Sequence, residues 1–186
     1  AGALLVPESR KIAGLLLNKT GKDAWKEAVE GQNILQARSI STAKRIAALI
    51  RSRLELMDAG LWKLIADGDS LVATHAVFAA SIKHCVLLGD YLDLVVRDQF
   101  NQFEERLSKK VWDEYINHCR QRDPMLKEFP PTTATKIRTN VHKILVEAGY
   151  LRDRKSLLLQ RPDVAGEVID YLQNKNESYV LKCMQV

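Results

Sequence analysis

The sequence predicts an all-α protein with helix-turn-helix elements and a C-terminal winged-helix-like unit that carries a short β-hairpin. Three observations lead there. Apolar residues recur at helical spacing along almost the whole chain, and alternating β-branched runs are scarce. A proline-rich break, with Pro124, Pro130 and Pro131, also sets a last basic helix, a charged turn and an apolar run apart from what precedes them.

The chain has 186 residues, 46% of them hydrophobic, enough to bury one sizeable core or two small ones sharing an interface. The first helices are expected over 9–17 and 22–30. Thr20-Gly21-Lys22-Asp23 offers a capping threonine with an acid three positions on, and Gly31 suits a C-terminal turn. A longer helix follows over 42–57 with Ser41 as its N-cap, then a short one over 61–67. The stretch 71–87 is the most apolar, but Thr74, His75, Ser81, Lys83 and His84 interrupt it, so it reads as a buried core helix and not a membrane span. Helices over 90–106 and 109–121 precede the proline break, and helices over 133–148 and 163–174 follow it. Three closely packed regions are expected: 1–68, 69–123 and 124–186.

The 28 Lys and Arg against 23 Asp and Glu give a formal charge of +5. That tilt gains meaning where the cations gather on one face. Between Thr132 and Lys155 there are six Lys and Arg and two acids. On a helical wheel Ile137, Val141, Ile144, Leu145 and Ala148 form one apolar stripe, leaving Thr135, Lys136, Thr139, His142 and Lys143 on the other side, with Arg138 at its flank. A helix entering a DNA groove needs such an arrangement: a packed face fixes its angle, and short polar or cationic side chains reach phosphates and base edges. Gly149 then ends the helix, and the turn Arg152-Asp153-Arg154-Lys155 leads into the apolar strand Leu157-Leu158-Leu159. Cations at such a hairpin tip can reach the DNA backbone. A solvated amphipathic helix followed by an ordinary turn fits the same residues.

The 42–57 helix repeats the pattern. Ala43, Ile46, Ala47, Ile50, Leu54 and Met57 make its core stripe, while Ser41, Lys44, Arg45, Arg51, Ser52 and Glu55 fall on the opposite side, with Arg53 at the margin and Arg38 just ahead of the helix as a further candidate contact. This is either a second DNA-facing helix or a charged structural helix whose arginines pair with acids elsewhere in the chain.

Catalytic and metal chemistry find no motif here. There is no Gly-rich phosphate loop, nucleophile signature or zinc-ligand spacing. His84-Cys85 and His118-Cys119 are adjacent pairs that point roughly 100° apart on a helix. Asp90 and Asp93 share a helix face, but they lack the strand-end acids and lysine of a nuclease and suit a helix start. Trp25, Trp62 and Trp112 read as core or interface anchors. No cofactor is expected. Cys85, Cys119 and Cys183 are an odd set at wide spacing, which suits a reducing, cytoplasmic setting.

The chain resembles the BrxA family of bacteriophage-exclusion, or BREX, systems. The likeness is carried by Ser39-Ile40-Ser41-Thr42-Ala43-Lys44-Arg45-Ile46, by His84-Cys85-Val86-Leu87-Leu88-Gly89-Asp90-Tyr91, and by 132–151. The resemblance implies a helical, DNA-binding protein that acts with other BREX proteins in phage defence. It supplies no catalytic residues, and the family's likeness to a NusB-like fold keeps RNA as a second ligand. The expectation is therefore a non-enzymatic binder of double-stranded DNA with no membrane partner. A protein-interaction adaptor and an RNA-binding module are the alternatives.

Overall fold

The computed structural model describes residues 3–126 and 128–186. Among the described residues eleven α-helical segments succeed one another: α1 (Val6–Leu17), α2 (Lys22–Lys26), α3 (Ile40–Leu54), α4 (Ala59–Asp67), α5 (Ser70–His84), α6 (Val86–Asp90), α7 (Arg97–Asn101), α8 (Lys109–Arg122), α9 (Pro131–Glu147), α10 (Gly166–Asn174) and α11 (Ser178–Met184). Wide π-type turns extend α2 over Glu27–Gly31 and join α6 to α7 over Tyr91–Val96.

α5 is the axis of the fold. Its side chains from Ala76 to Ile82 are all buried, and it packs against α1, α3, α4, α6, α10 and α11. A helix that is apolar nearly all round is stable in water when neighbours cover every side. Asp69 caps it by accepting the Val72 amide at 2.8 Å. The buried apolar residues form one continuous cluster from Leu4 near the start to Met184 near the end.

Several boundaries differ from the sequence expectation for local reasons. The expected 71–87 helix breaks at Cys85, whose extended backbone (φ −129°, ψ 92°) turns the chain. The next helical run leaves at 108° to α5. Asp90 therefore lies inside a helix that begins at Val86, and is not a helix start. That run ends at Asn101 instead of 106, because the chain at 105–107 bonds to 157–159. Thr20 caps nothing. Its amide closes the end of α1 on the Leu15 carbonyl, and Gly21 occupies the cap of α2 with no side-chain bond. α11 was not anticipated. Among the described residues, no single helix is long and apolar enough to cross a membrane.

The expected C-terminal hairpin is corrected too: among the described residues there is no β-strand, only isolated antiparallel bridges between Leu151 and Leu159 and between Arg106 and Leu158. Leu157 has a left-handed backbone (φ 52°) that interrupts the pleat. Asp153 also takes the amides of Lys155 and Ser156 onto its carboxylate, where a ladder would have used them. The run 157–159 is held all the same. The Leu107 amide donates to the Leu157 carbonyl, Leu159 to Glu105, and Arg152 to Leu158, each at 2.9 Å.

Candidate nucleic-acid interface

α9 starts where the prolines stop. Pro131 takes the first helical position, where its missing N–H costs nothing. Val141, Ile144, Leu145 and Ala148 are buried as the wheel predicts, and Thr135, Lys136, Thr139 and Lys143 are exposed. Gly149, at φ +83°, lets its amide and that of Tyr150 close back on Val146 and Leu145. Tyr150 and Leu151 then dive into the core. This anchoring brings the turn at 153–156 back beside the helix it left.

The turn is organised by Asp153. One carboxylate oxygen accepts from the Lys155 and Ser156 amides at 2.7 and 2.8 Å, and the other from the Ser156 hydroxyl at 2.6 Å. These bonds, the Ser156 hydroxyl foremost, pull its carboxyl down to about 2. Sequence reasoning counted Asp153 only as a charge. The signal was present, because Asp followed by a small polar residue within three positions is a common turn-former. With the acid bonded to its own turn, Arg152, Arg154 and Lys155 stand exposed around it.

Between α9 and this turn lies an open cavity of about 610 Å³ lined by Arg138, Thr139, His142, Asp153, Arg154, Lys155 and Leu157. It gathers five of the residues singled out from the sequence. Arg138 is half-buried and sits 3.8 Å from Asp113 of α8, a long pair whose acid is largely in solvent. Lys143 is 3.7 Å from Glu147 one turn on. Both are exposed pairs worth little to stability, so both cations can exchange partners.

His142 corrects the sequence reading most sharply. Placed on the exposed face by the wheel, it is 8% exposed. The reason is packing: α8 and the π-type turn cover that side, bringing the Trp112 and Tyr91 rings to 6.1 and 6.4 Å. Its Nε2 is buried with no hydrogen-bond partner. Burial first, and the Arg138 guanidinium second, push its imidazole down to about 4.

The basic side of α3 is organised differently. Lys44 lies 3.3 Å from Glu30. Arg51 donates to Glu55 at 2.6 Å, and its guanidinium also lies 4.8 Å over the Trp25 ring. Arg53, expected at the margin, is buried, and donates to the Ala3 carbonyl at 3.1 Å. Arg38, Ser41 and Arg45 are exposed. Of the two sequence readings, the charged structural helix describes Lys44 and Arg51. The N-cap is Ser39, whose hydroxyl accepts from the Thr42 amide at 3.2 Å, in place of Ser41. Ser39→Ala is accordingly expected to cost about 1 kcal/mol in urea denaturation, whereas Ser41→Ala leaves stability unchanged.

The carboxylates of Asp90 and Asp93 are engaged. Asp90 accepts from the Tyr179 hydroxyl at 2.9 Å, and Asp93 from Arg97 and Lys182 at 3.0 and 2.7 Å. Among the described residues no group of three or more His, Cys, Asp or Glu is placed to hold a metal ion. Trp112 is in the core as expected, whereas Trp25 and Trp62 are half-buried at its edge.

Comparison with known proteins agrees over nearly the full length. The sequence model of the BrxA family matches residues 1–176. A BREX protein BrxA from Paramagnetospirillum magneticum is 51% identical over 185 residues, covering 100% of this chain and 93% of that protein. One from Escherichia coli O9:H4 is 35% identical, covering 99% and 86%. A crystal structure of an uncharacterized protein from Magnetospirillum magneticum superposes with a TM-score of 0.91 at 49% identity, covering 98% of this chain and 94% of that one. With the family's pattern matched over residues 1–176 and named relatives at 51% and 35% identity over nearly the whole chain, this chain belongs to the BrxA family.

Proposed function

We propose that this BrxA-family chain is a non-enzymatic component of a BREX phage-defence system that binds double-stranded DNA, with α9 and the 153–156 turn as its contact surface. One observation carries the reading: Arg138, Arg154 and Lys155 converge on a single open cavity, and Lys136 and Lys143 are exposed elsewhere on α9. Cations on a rigid, core-anchored helix suit phosphate contacts, which fix register without reading sequence. α3 contributes less, because Lys44 and Arg51 already neutralise acids within the chain.

Fluorescence anisotropy with a labelled duplex of about 30 base pairs tests this. Six cations lie between Thr132 and Lys155, so the logarithm of affinity is expected to fall linearly with that of salt, with a slope near −5 if all reach phosphate. Changing Lys136, Arg138 and Lys143 together to Glu should weaken binding by about a hundredfold at low salt. The same change at Lys44, Arg45 and Arg51 should do markedly less. Absence of wild-type binding at low salt sinks the proposal. Equal competition by duplex RNA would redirect it to a shape-blind phosphate binder.

A protein-docking role is the second reading. Phe103 and Met125 favour it, two large apolar side chains that are 93% and 85% exposed. Pull-downs with other BREX proteins, repeated with Phe103→Ser and Met125→Ser, separate it from the DNA reading.

A further inference from the structure

Resting on the DNA-binding reading, we propose that the cavity between α9 and the 153–156 turn is a seat for one nucleic-acid phosphate group, in which the His142 imidazole supplies a buried N–H donor. Arg138, Arg154 and Lys155 surround the anion with positive charge.

His142 carries the argument. It lines the cavity, it is more than nine-tenths buried, and its Nε2 has no partner in the free protein. A buried polar nitrogen left unpaired destabilises a fold. An apolar ring would fill the same space against Tyr91 and Trp112 without that cost. A ligand that brings an acceptor oxygen resolves the conflict, and a phosphate brings several. The neutral ring donates from Nε2 once the bound oxygen selects that tautomer, with no proton taken from solvent.

The other lining residues sort by what they have left to give. The Thr139 hydroxyl proton is committed to the Thr135 carbonyl at 2.8 Å, so Thr139 is not a donor to the anion. Asp153 lines the cavity as well, and its carboxylate oxygens already accept from the Lys155 and Ser156 amides and the Ser156 hydroxyl, which offset part of its repulsion of an anion. Arg138 is tied to Asp113 by a 3.8 Å pair, weak enough to be exchanged for a phosphate. Positive charge with one unpaired nitrogen among the lining residues is a recognition set for a phosphate oxygen. An internal phosphodiester of the duplex and a terminal phosphomonoester share that chemistry.

The test compares the full-length wild type, His142→Phe and the double variant Arg154→Ala/Lys155→Ala on duplexes with 5′-hydroxyl or 5′-phosphate ends, across a salt series. His142→Phe keeps a ring in the aromatic pocket, and thermal unfolding confirms its fold. It is expected to bind about tenfold more weakly, the loss of one hydrogen bond to a charged group, with the salt slope unchanged. The double variant should weaken binding and flatten the slope by about two. A wild-type preference for 5′-phosphate ends that vanishes in His142→Phe identifies the terminal group. Equal loss on both duplexes identifies the internal phosphodiester. Wild-type affinity retained by a folded His142→Phe on both duplexes overturns the phosphate seat while leaving DNA binding intact. Absence of wild-type binding overturns both.

Discussion

Between neutral pH and about pH 4, the folded state is expected to lose about 3 kcal/mol through His142 alone. In the unfolded chain this imidazole titrates at its ordinary value of 6.5, whereas in the fold it is pushed down to about 4. The folded pKa is the lower one, so between these values unfolding takes up a proton and acid favours the unfolded state. The stability is fully present above about pH 6.5 and drains away as the pH falls towards 4.

His75 acts in the same direction. It is 1% exposed, burial lowers its pKa, and its Nδ1 accepts the Ala165 amide at 3.1 Å. A proton on that nitrogen would destroy the bond and leave a charge in the core. Asp58 and Asp93 also lie below the ordinary carboxylate range, Asp58 chiefly through its bond with Lys175 and Asp93 through Lys182 and Arg97, which outweigh burial. Their contributions fade only as the pH falls through those lowered values, beneath the histidine window. Urea denaturation of wild type and His142→Phe at a series of pH values separates the effects. The wild-type stability should fall more steeply, by close to one proton's worth of slope, between about pH 6 and 4. Parallel curves would mean that His142 is solvated, and would remove the buried donor on which the phosphate seat depends.

The sequence made much of this legible and hid the rest for physical reasons. Helical periodicity located the apolar stripe of α9, because Val141, Ile144, Leu145 and Ala148 obey a single 3.6-residue period. It misplaced His142 because a wheel shows where a side chain points but not which neighbour arrives there, and α8 comes from twenty or more residues upstream. For the same reason two of the partners of α3's cations were hidden, although Glu55, one turn from Arg51, was in view. Glu30 lies in a preceding turn, and Trp25 reaches Arg51 only after the chain folds back. The break at Cys85 had no marker, since neither glycine nor proline stands there. The missing hairpin is subtler, because Leu157 takes a left-handed backbone that leucine adopts only when the surroundings impose it. The turn itself was legible, and the Asp153 carboxylate that organises it explains why a basic loop can sit so close to a basic helix.

Phe78→Ala is expected to have the largest effect of any single core substitution, about 4 kcal/mol. Phe78 is fully buried at the middle of α5, and its ring lies 5.2 Å from that of Tyr150. Tyr150 is itself fully buried and donates its hydroxyl to the Met184 carbonyl at 2.6 Å. The pair thus connects the central helix, the residue just beyond α9 and the C-terminal helix, three elements far apart in the chain. Removing one ring leaves a cavity that neighbours anchored in several helices cannot readily fill, and removes an aromatic pair worth about 1 kcal/mol beyond its area. For a chain of this length the thermal midpoint should drop by about 8 to 16 °C. Single-tryptophan variants retaining Trp62 in α4 or Trp112 in α8 report from two separate helices. Because the buried cluster is continuous, both probes should register the same shift. A lowered midpoint at Trp112 with Trp62 unmoved would show that the chain melts in two steps. α9 would then owe its placement to a separate C-terminal unit, and DNA affinity would fail with that unit, below the temperature at which α1 and α4 come apart.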